Sequence, residues 1–62
     1  MDDNLIESFE ELKKLVESLQ IDVVKNANGN KSAGVRARKG LREVKKVASE
    51  IVKKSLSSDK DQ

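Results

Sequence analysis

The side chains best placed to do chemistry in this chain are bases. Lys31, Arg36, Arg38, Lys39, Arg42, Lys45 and Lys46 are opposed only by Glu43, so residues 31 to 46 carry a net charge of +6 (seven bases less one acid). Lys53 extends the same side. Residues 1 to 24 are the reverse: Asp2, Asp3, Glu7, Glu10, Glu11, Glu17 and Asp22 outweigh Lys13 and Lys14, for a net of −5 (two bases less seven acids). The overall formal charge of +2 therefore hides two opposite surfaces. At helical spacing, Arg38, Lys39, Arg42, Lys45, Lys46 and Lys53 share an arc of about 120°, with Arg36 and Lys54 to one side. The run Gly29-Asn30-Lys31-Ser32-Ala33-Gly34 opens this basic segment as a helix start. Backbone N–H groups around Ser32, Ala33 and Gly34, the helix dipole and nearby Lys31 together suit a phosphate. A basic stripe behind an anion-binding helix start is the chemistry of sequence-independent, salt-sensitive contact with a nucleic-acid backbone.

Other chemistry has little to stand on. The chain has no Cys and no His, hence no disulfide, thiolate, imidazole ligand or ordinary general base. Glu7 with Glu11 and Glu10 with Glu17 are paired carboxylates, but they lie on a charged helical face beside Lys13 and Lys14. Such spacings give solvated ion pairs worth a few tenths of a kcal/mol. The only loop offers Asn rather than convergent carboxylates, so no metal site is expected. A thin helical hairpin encloses no pocket for a substrate. The reading is therefore not an enzyme: no catalytic residue, no cofactor and no small-molecule substrate. Ser32 reads as a cap, not a nucleophile. Base-specific readout is also poorly supplied. There is no aromatic interleaving for stacking, and no Asn or Gln lies between Val35 and Lys46 to read adenine.

The elements that carry these residues are two amphipathic helices. Leu5, Phe9, Leu12, Val16, Leu19 and Val23 are spaced 4, 3, 4, 3, 4, a heptad seam. Asp2, Asp3 and Asn4 are candidate caps, and Asn26-Ala27-Asn28-Gly29 is a stop. The second seam is Ala37, Leu41, Val44, Ala48, Ile51 and Ser55 with the same spacings. Its start is Asn30 or Ser32 as N-cap. Gly34 and Ala37 allow close backbone approach, whereas Gly40 reads as a flaw costing roughly 1 kcal/mol against Ala. The expected fold is all-α: an antiparallel, coiled-coil-like two-helix hairpin over residues 1–56, with helices at about 3–26 and 31–56, a turn at 27–30, and a frayed polar tail at 57–62. Leu15, Ile21, Val24, Val47, Val52 and Leu56 widen the apolar surface beyond what one hairpin covers. A chain of 62 residues buries little core alone. A homodimer in a four-helix arrangement is therefore expected, with Leu5, Phe9, Leu12, Val16, Leu19, Val23, Leu41, Val44, Ala48 and Ile51 as its core. The rival is one continuous helix zipped to a second chain, disfavoured by the two Asn and the Gly of the turn. No apolar run reaches membrane-spanning length, and the acidic amino end does not read as a signal peptide. The expected setting is cytoplasmic.

The segment Gly29-Asn30-Lys31-Ser32-Ala33-Gly34-Val35-Arg36-Ala37-Arg38-Lys39, followed by Leu41, Val44, Val47 and Ala48, resembles the shared stretch of the bacterial linker-histone-like proteins of the chlamydial type. Those proteins place a similar Gly-Asn-Lys, small residues and Arg-x-Arg after an acidic amphipathic segment. The resemblance spans most of residues 4 to 55, with about a dozen residues carrying its specificity. It implies a nucleoid-associated protein that coats, bridges or compacts double-stranded DNA. Lys31, Arg36, Arg38 and Lys39 match its motif, while Arg42, Lys45, Lys46 and Lys53 are added from the helical wheel. The longer members continue into a Lys/Ala-rich tail, whereas here Ser57-Ser58-Asp59-Lys60-Asp61-Gln62 is nearly neutral. Two other readings stand beside it. One is a dimerisation or adaptor module whose basic face meets an acidic protein. The other is an amphipathic helix on anionic lipid, disfavoured by regular seams poor in large aromatics.

Overall fold

The computed structural model describes residues 2–60. Two helices account for almost all of it: α1, Asp3–Ala27, and α2, Lys31–Lys60. They pack along their length as an antiparallel hairpin, and the molecule is a rod of 49 × 14 × 11 Å.

Helix α1 starts because Asp2 caps it. The carboxylate accepts from the Leu5 N–H at 3.0 Å, and the Asp2 carbonyl accepts from Ile6 at 3.2 Å. Asp3 in the first turn and Lys25 in the last both complement the dipole. The helix ends at Ala27, one residue past the expected boundary. Asn28 caps it, and Gly29 takes φ +98°, a left-handed conformation that costs glycine least. The Asn30 N–H then bonds back to the Lys25 carbonyl at 3.0 Å, and the Asn26 side chain donates to the Asn30 carbonyl at 3.4 Å. Asn26 is thus inside α1 and braces the turn. Asn30, not Ser32, caps α2: its Oδ1 accepts from the Ala33 N–H at 2.9 Å.

The seam of α1 differs from the expected one by a shift of phase. Leu5, Ser8, Leu12, Leu15, Leu19 and Asp22 are the shielded positions. Phe9, Val16 and Val23 are 51%, 50% and 45% exposed and flank the seam instead of forming it. In α2 the shielded positions include Ala33, Gly34, Ala37, Gly40, Val44, Val47, Ala48, Ile51 and Ser55, whereas Leu41 is half exposed. Of the residues expected in a dimer core, Leu5, Leu12, Leu19, Val44, Ala48 and Ile51 lie in the seam within one chain, whereas Phe9, Val16, Val23 and Leu41 are exposed beside it. The physical reason lies in α2. Near the turn its seam is made of small residues, so α1 comes close, and Ala33 and Ala37 are almost fully buried. Leu19 fills the space opposite Gly40, where an added Cβ would lie 3.1 Å from the Leu19 Cγ. Gly40 is a socket for Leu19, not a flaw.

Two polar seam positions are satisfied across the hairpin. Asp22 accepts from the Arg36 Nε at 3.1 Å, and the Ser8 hydroxyl accepts from the Lys54 Nζ at 2.6 Å. At the open end α2 runs on to Lys60, so the tail expected from Ser57 is helical through the described residues, with 61 and 62 outside them. No Gly or Pro interrupts α2 there, and Ser58 is half-buried. Among the described residues no helix is long and apolar enough to cross a membrane.

Candidate nucleic-acid interface

The phase of α2 decides which side chains face outward. With Ala37, Val44 and Ile51 turned toward α1, the opposite arc carries Lys31, Arg38, Lys39, Arg42, Lys45, Lys46 and Lys53. All seven are exposed. None makes an ion pair among the described residues; the two ion pairs found there are Lys13–Glu10 and Arg36–Asp22. Asp3, Glu7, Glu10 and Glu17 of α1 face the far side of the rod, while Glu11 lies on its polar flank and Asp22 in the seam, and none of them pairs with this face.

Arg36 stands apart. Its guanidinium is held by Asp22 on the side of the hairpin, although its side chain remains half exposed. Lys54 is likewise turned to α1 by Ser8. The structure therefore separates Arg36 from the other site residues named from the sequence. Arg38 leans over Gly34: its Nη1 lies 3.1 Å from where a Cβ at that glycine would start, and Asn26 Cγ is 2.9 Å from the same point. A side chain at position 34 would displace both. Gly34 thus holds the Arg38 guanidinium and the turn-bracing Asn26 side by side.

The helix start is narrower as an anion site than its sequence suggests. The Ala33 N–H is taken by the Asn30 side chain, and the Gly34 N–H by the Asn30 carbonyl at 3.2 Å. Both residues are buried. The exposed first-turn positions are Lys31 and Ser32. The Ser32 side chain is solvent-facing and beside Lys31, with its capping role passed to Asn30.

A second surface lies along one side of the seam. Phe9, Val16 and Val23 of α1 share it with Leu41 and Val52 of α2, all exposed by 45% or more. Near its turn end it deepens into an open apolar groove lined by Val16, Leu19, Gln20, Val23, Val24 and Leu41. The other side of the seam is polar, with Glu11, Ser18, Arg36 and Lys54. Among the described residues no group of three acidic, His or Cys side chains converges as a metal site.

Residues 6–61 match the family described as histone H1-like protein Hc1. No curated protein and no solved structure matches the chain. The match covers most of both helices and the turn between them, and the chain belongs to this family.

Proposed function

We propose, from the membership of this chain in the histone H1-like Hc1 family together with its unpaired basic face, that it is a small nucleoid-associated protein binding double-stranded DNA. The observation that carries the reading is the absence of carboxylate partners for Lys31, Arg38, Lys39, Arg42, Lys45, Lys46 and Lys53 among the described residues. A basic face on a helix is ordinary when acids of the neighbouring helix pair with it. Among the described residues the one cross-hairpin ion pair takes Arg36 alone. The remaining bases are left without an ion-pair partner and open to an external polyanion, and each phosphate they neutralise releases counterions. From Lys31 to Lys53 the stripe runs about 33 Å at the helical rise, close to one turn of duplex. Contacts of this kind carry little sequence preference.

The apolar flank of Phe9, Val16, Val23, Leu41 and Val52 supports a homodimer. Two hairpins joined there make a four-helix particle with a basic face on each half. Such a particle can bridge or coat duplexes through its folded faces. The setting that follows is the cytoplasmic nucleoid, with no membrane, cofactor, metal or small-molecule substrate in the reading.

The test is a salt titration of binding to random-sequence duplex DNA. The expected result is a linear fall of log K with log salt, with a slope of several units. A triple reversal, Arg38→Glu with Arg42→Glu and Lys46→Glu, should abolish binding while the helical signal persists. A folded chain that does not bind even at low salt would sink the reading and leave the adaptor alternative, an acidic protein partner.

A further inference from the structure

Val35 is 60% exposed on the face of α2 turned away from α1. Lys31, Arg38, Lys39 and Arg42 stand at i−4, i+3, i+4 and i+7 from it, so it is surrounded by bases on its own helix. Leu41, Val52 and Leu56, the other exposed aliphatics of α2, lie toward the grooved side of the hairpin. Between Lys31 and Lys53, Val35 is the one apolar residue in the outward arc. A β-branched residue is a weaker helix former than Ala or Leu, and water on that face returns nothing for it.

The order of side chains around Val35 is itself regular. Val35, Arg42 and Ser49 form one exposed ridge of α2, seven residues apart. Arg38 and Lys45 make a row on one side of the ridge, and Lys39 and Lys46 a row on the other. Two basic rows flanking a central ridge fit the two phosphate walls of a groove, with the ridge directed at its floor. The major groove is about 12 Å wide and admits one α-helix. In this fold α1 is stacked behind α2, away from the ridge, and does not obstruct entry. Val35 sits in the second turn of α2, and helices that enter the major groove touch base edges with residues near their amino ends. The apolar group on that floor is the thymine C5-methyl.

We infer that α2 docks in the major groove of DNA with Val35 against thymine methyl groups, giving the protein a modest preference for thymine-bearing sites. This rests on the DNA-binding reading above and adds to it a groove, a base and a residue. Phosphate contacts set the affinity, and Val35 biases where along the duplex the chain rests.

The experiment compares one duplex with its twin in which every thymidine is replaced by deoxyuridine. The replacement removes the C5-methyl and leaves phosphate charge and base pairing unchanged. Binding of the full chain is followed by fluorescence anisotropy. The wild type should bind the thymidine duplex about three- to fivefold more tightly, the effect of burying about one methyl group. Val35→Ser should bind both duplexes equally, with an unaltered salt slope and helical signal, and Val35→Ile should restore the difference. Equal binding of the wild type to both duplexes overturns this inference and leaves the DNA-binding reading standing. A difference that persists in Val35→Ser also overturns it, because it would then report duplex stiffness. No binding to either duplex at low salt overturns both readings together.

Discussion

Leu19 of α1 stands where a side chain at position 40 of α2 would begin. A Cβ built on Gly40 would be 3.1 Å from both Cγ and Cδ1 of Leu19 and would overlap its Cδ2. Leu19 is the large side chain that the hairpin buries most completely among the described residues, at 8% exposure. The pair is thus the tightest knob and socket between the helices. Gly40→Ala gains about 1 kcal/mol of helix propensity. It also overpacks the seam, at a cost of about 1–3 kcal/mol. The expected net is a loss of about 1 kcal/mol, read as a lower Tm by circular dichroism. Because Leu19 borders the open groove, a stabilised Gly40→Ala would mean that its side chain swings into that groove freely.

The capping of α2 gives a second contrast. Asn30 holds the Ala33 N–H, while Ser32 faces solvent. Asn30→Ala should cost about 1 kcal/mol in urea unfolding. Ser32→Ala should stay within about 0.5 kcal/mol of the parent. A reversal of the two effects would mean that the helix starts two residues later in solution.

The two heptad phases of α1 show how far the sequence carried the fold. Leu5, Leu12 and Leu19 belong to both. Counting apolar residues favours the phase through Phe9, Val16 and Val23, since the other passes through Ser8 and Asp22. Two helices, their polarity, their turn and the outward basic arc follow from periodicity alone. The choice of phase does not, because it depends on the partner helix. Ala33, Gly34, Ala37 and Gly40 bring α1 near, and Ser8 and Asp22 become tolerable only through Lys54 and Arg36. A seam polar residue with a base at the matching antiparallel position was the readable signal. The outward orientation of the bases is the same for either phase of α1 because it depends only on the phase of α2. The separation of Arg36 from them did not show in the motif, whose spacing says nothing about Asp22.

That separation predicts unequal roles in binding. Arg42 has no ion-pair partner among the described residues, whereas Arg36 is held by Asp22. Arg42→Ala should reduce the salt slope of DNA binding by about one unit. Arg36→Ala should leave that slope nearly unchanged. Its exposed ion pair with Asp22 is worth at most about 1 kcal/mol of stability. Equal slope changes for the two variants would mean that Arg36 leaves Asp22 on binding.

Asp2 sets an acid limit on the open end of the hairpin. Its carboxyl is held below the ordinary 3.8, first by the Leu5 N–H and then by the Ser58 hydroxyl, with smaller help from the Asn4 N–H and Lys54. A depressed folded pKa means that the unfolded chain binds the proton more readily. The contribution is therefore fully present above the ordinary carboxylate range and is lost as pH falls through the depressed value. Helicity of the wild type should decline in that acid window. Asp2→Asn should shrink the decline, and identical acid profiles would show that other carboxylates govern it.

The apolar flank carries the last prediction. Val16 is half exposed, lines the side groove and lies outside the intrachain seam. A charge there leaves the packing of α1 on α2 in place but puts an ion into any interface formed on that side. Burying it without a partner costs several kcal/mol, more than a small dimer tolerates. Val16→Glu should therefore convert a dimer to a folded monomer in sedimentation or light scattering. Its affinity for long DNA should fall by about ten- to a hundredfold, because two basic faces on one particle act by avidity and one does not. On a duplex long enough for only one hairpin the variant should bind like the parent. That comparison separates the two proposed uses of the molecule, contact through the outward face of α2 and doubling through the flank beside the seam. A Val16→Glu chain that stays dimeric would place the interface elsewhere. A wild-type chain that is monomeric at working concentration would remove the bridging mode and leave single hairpins coating the duplex.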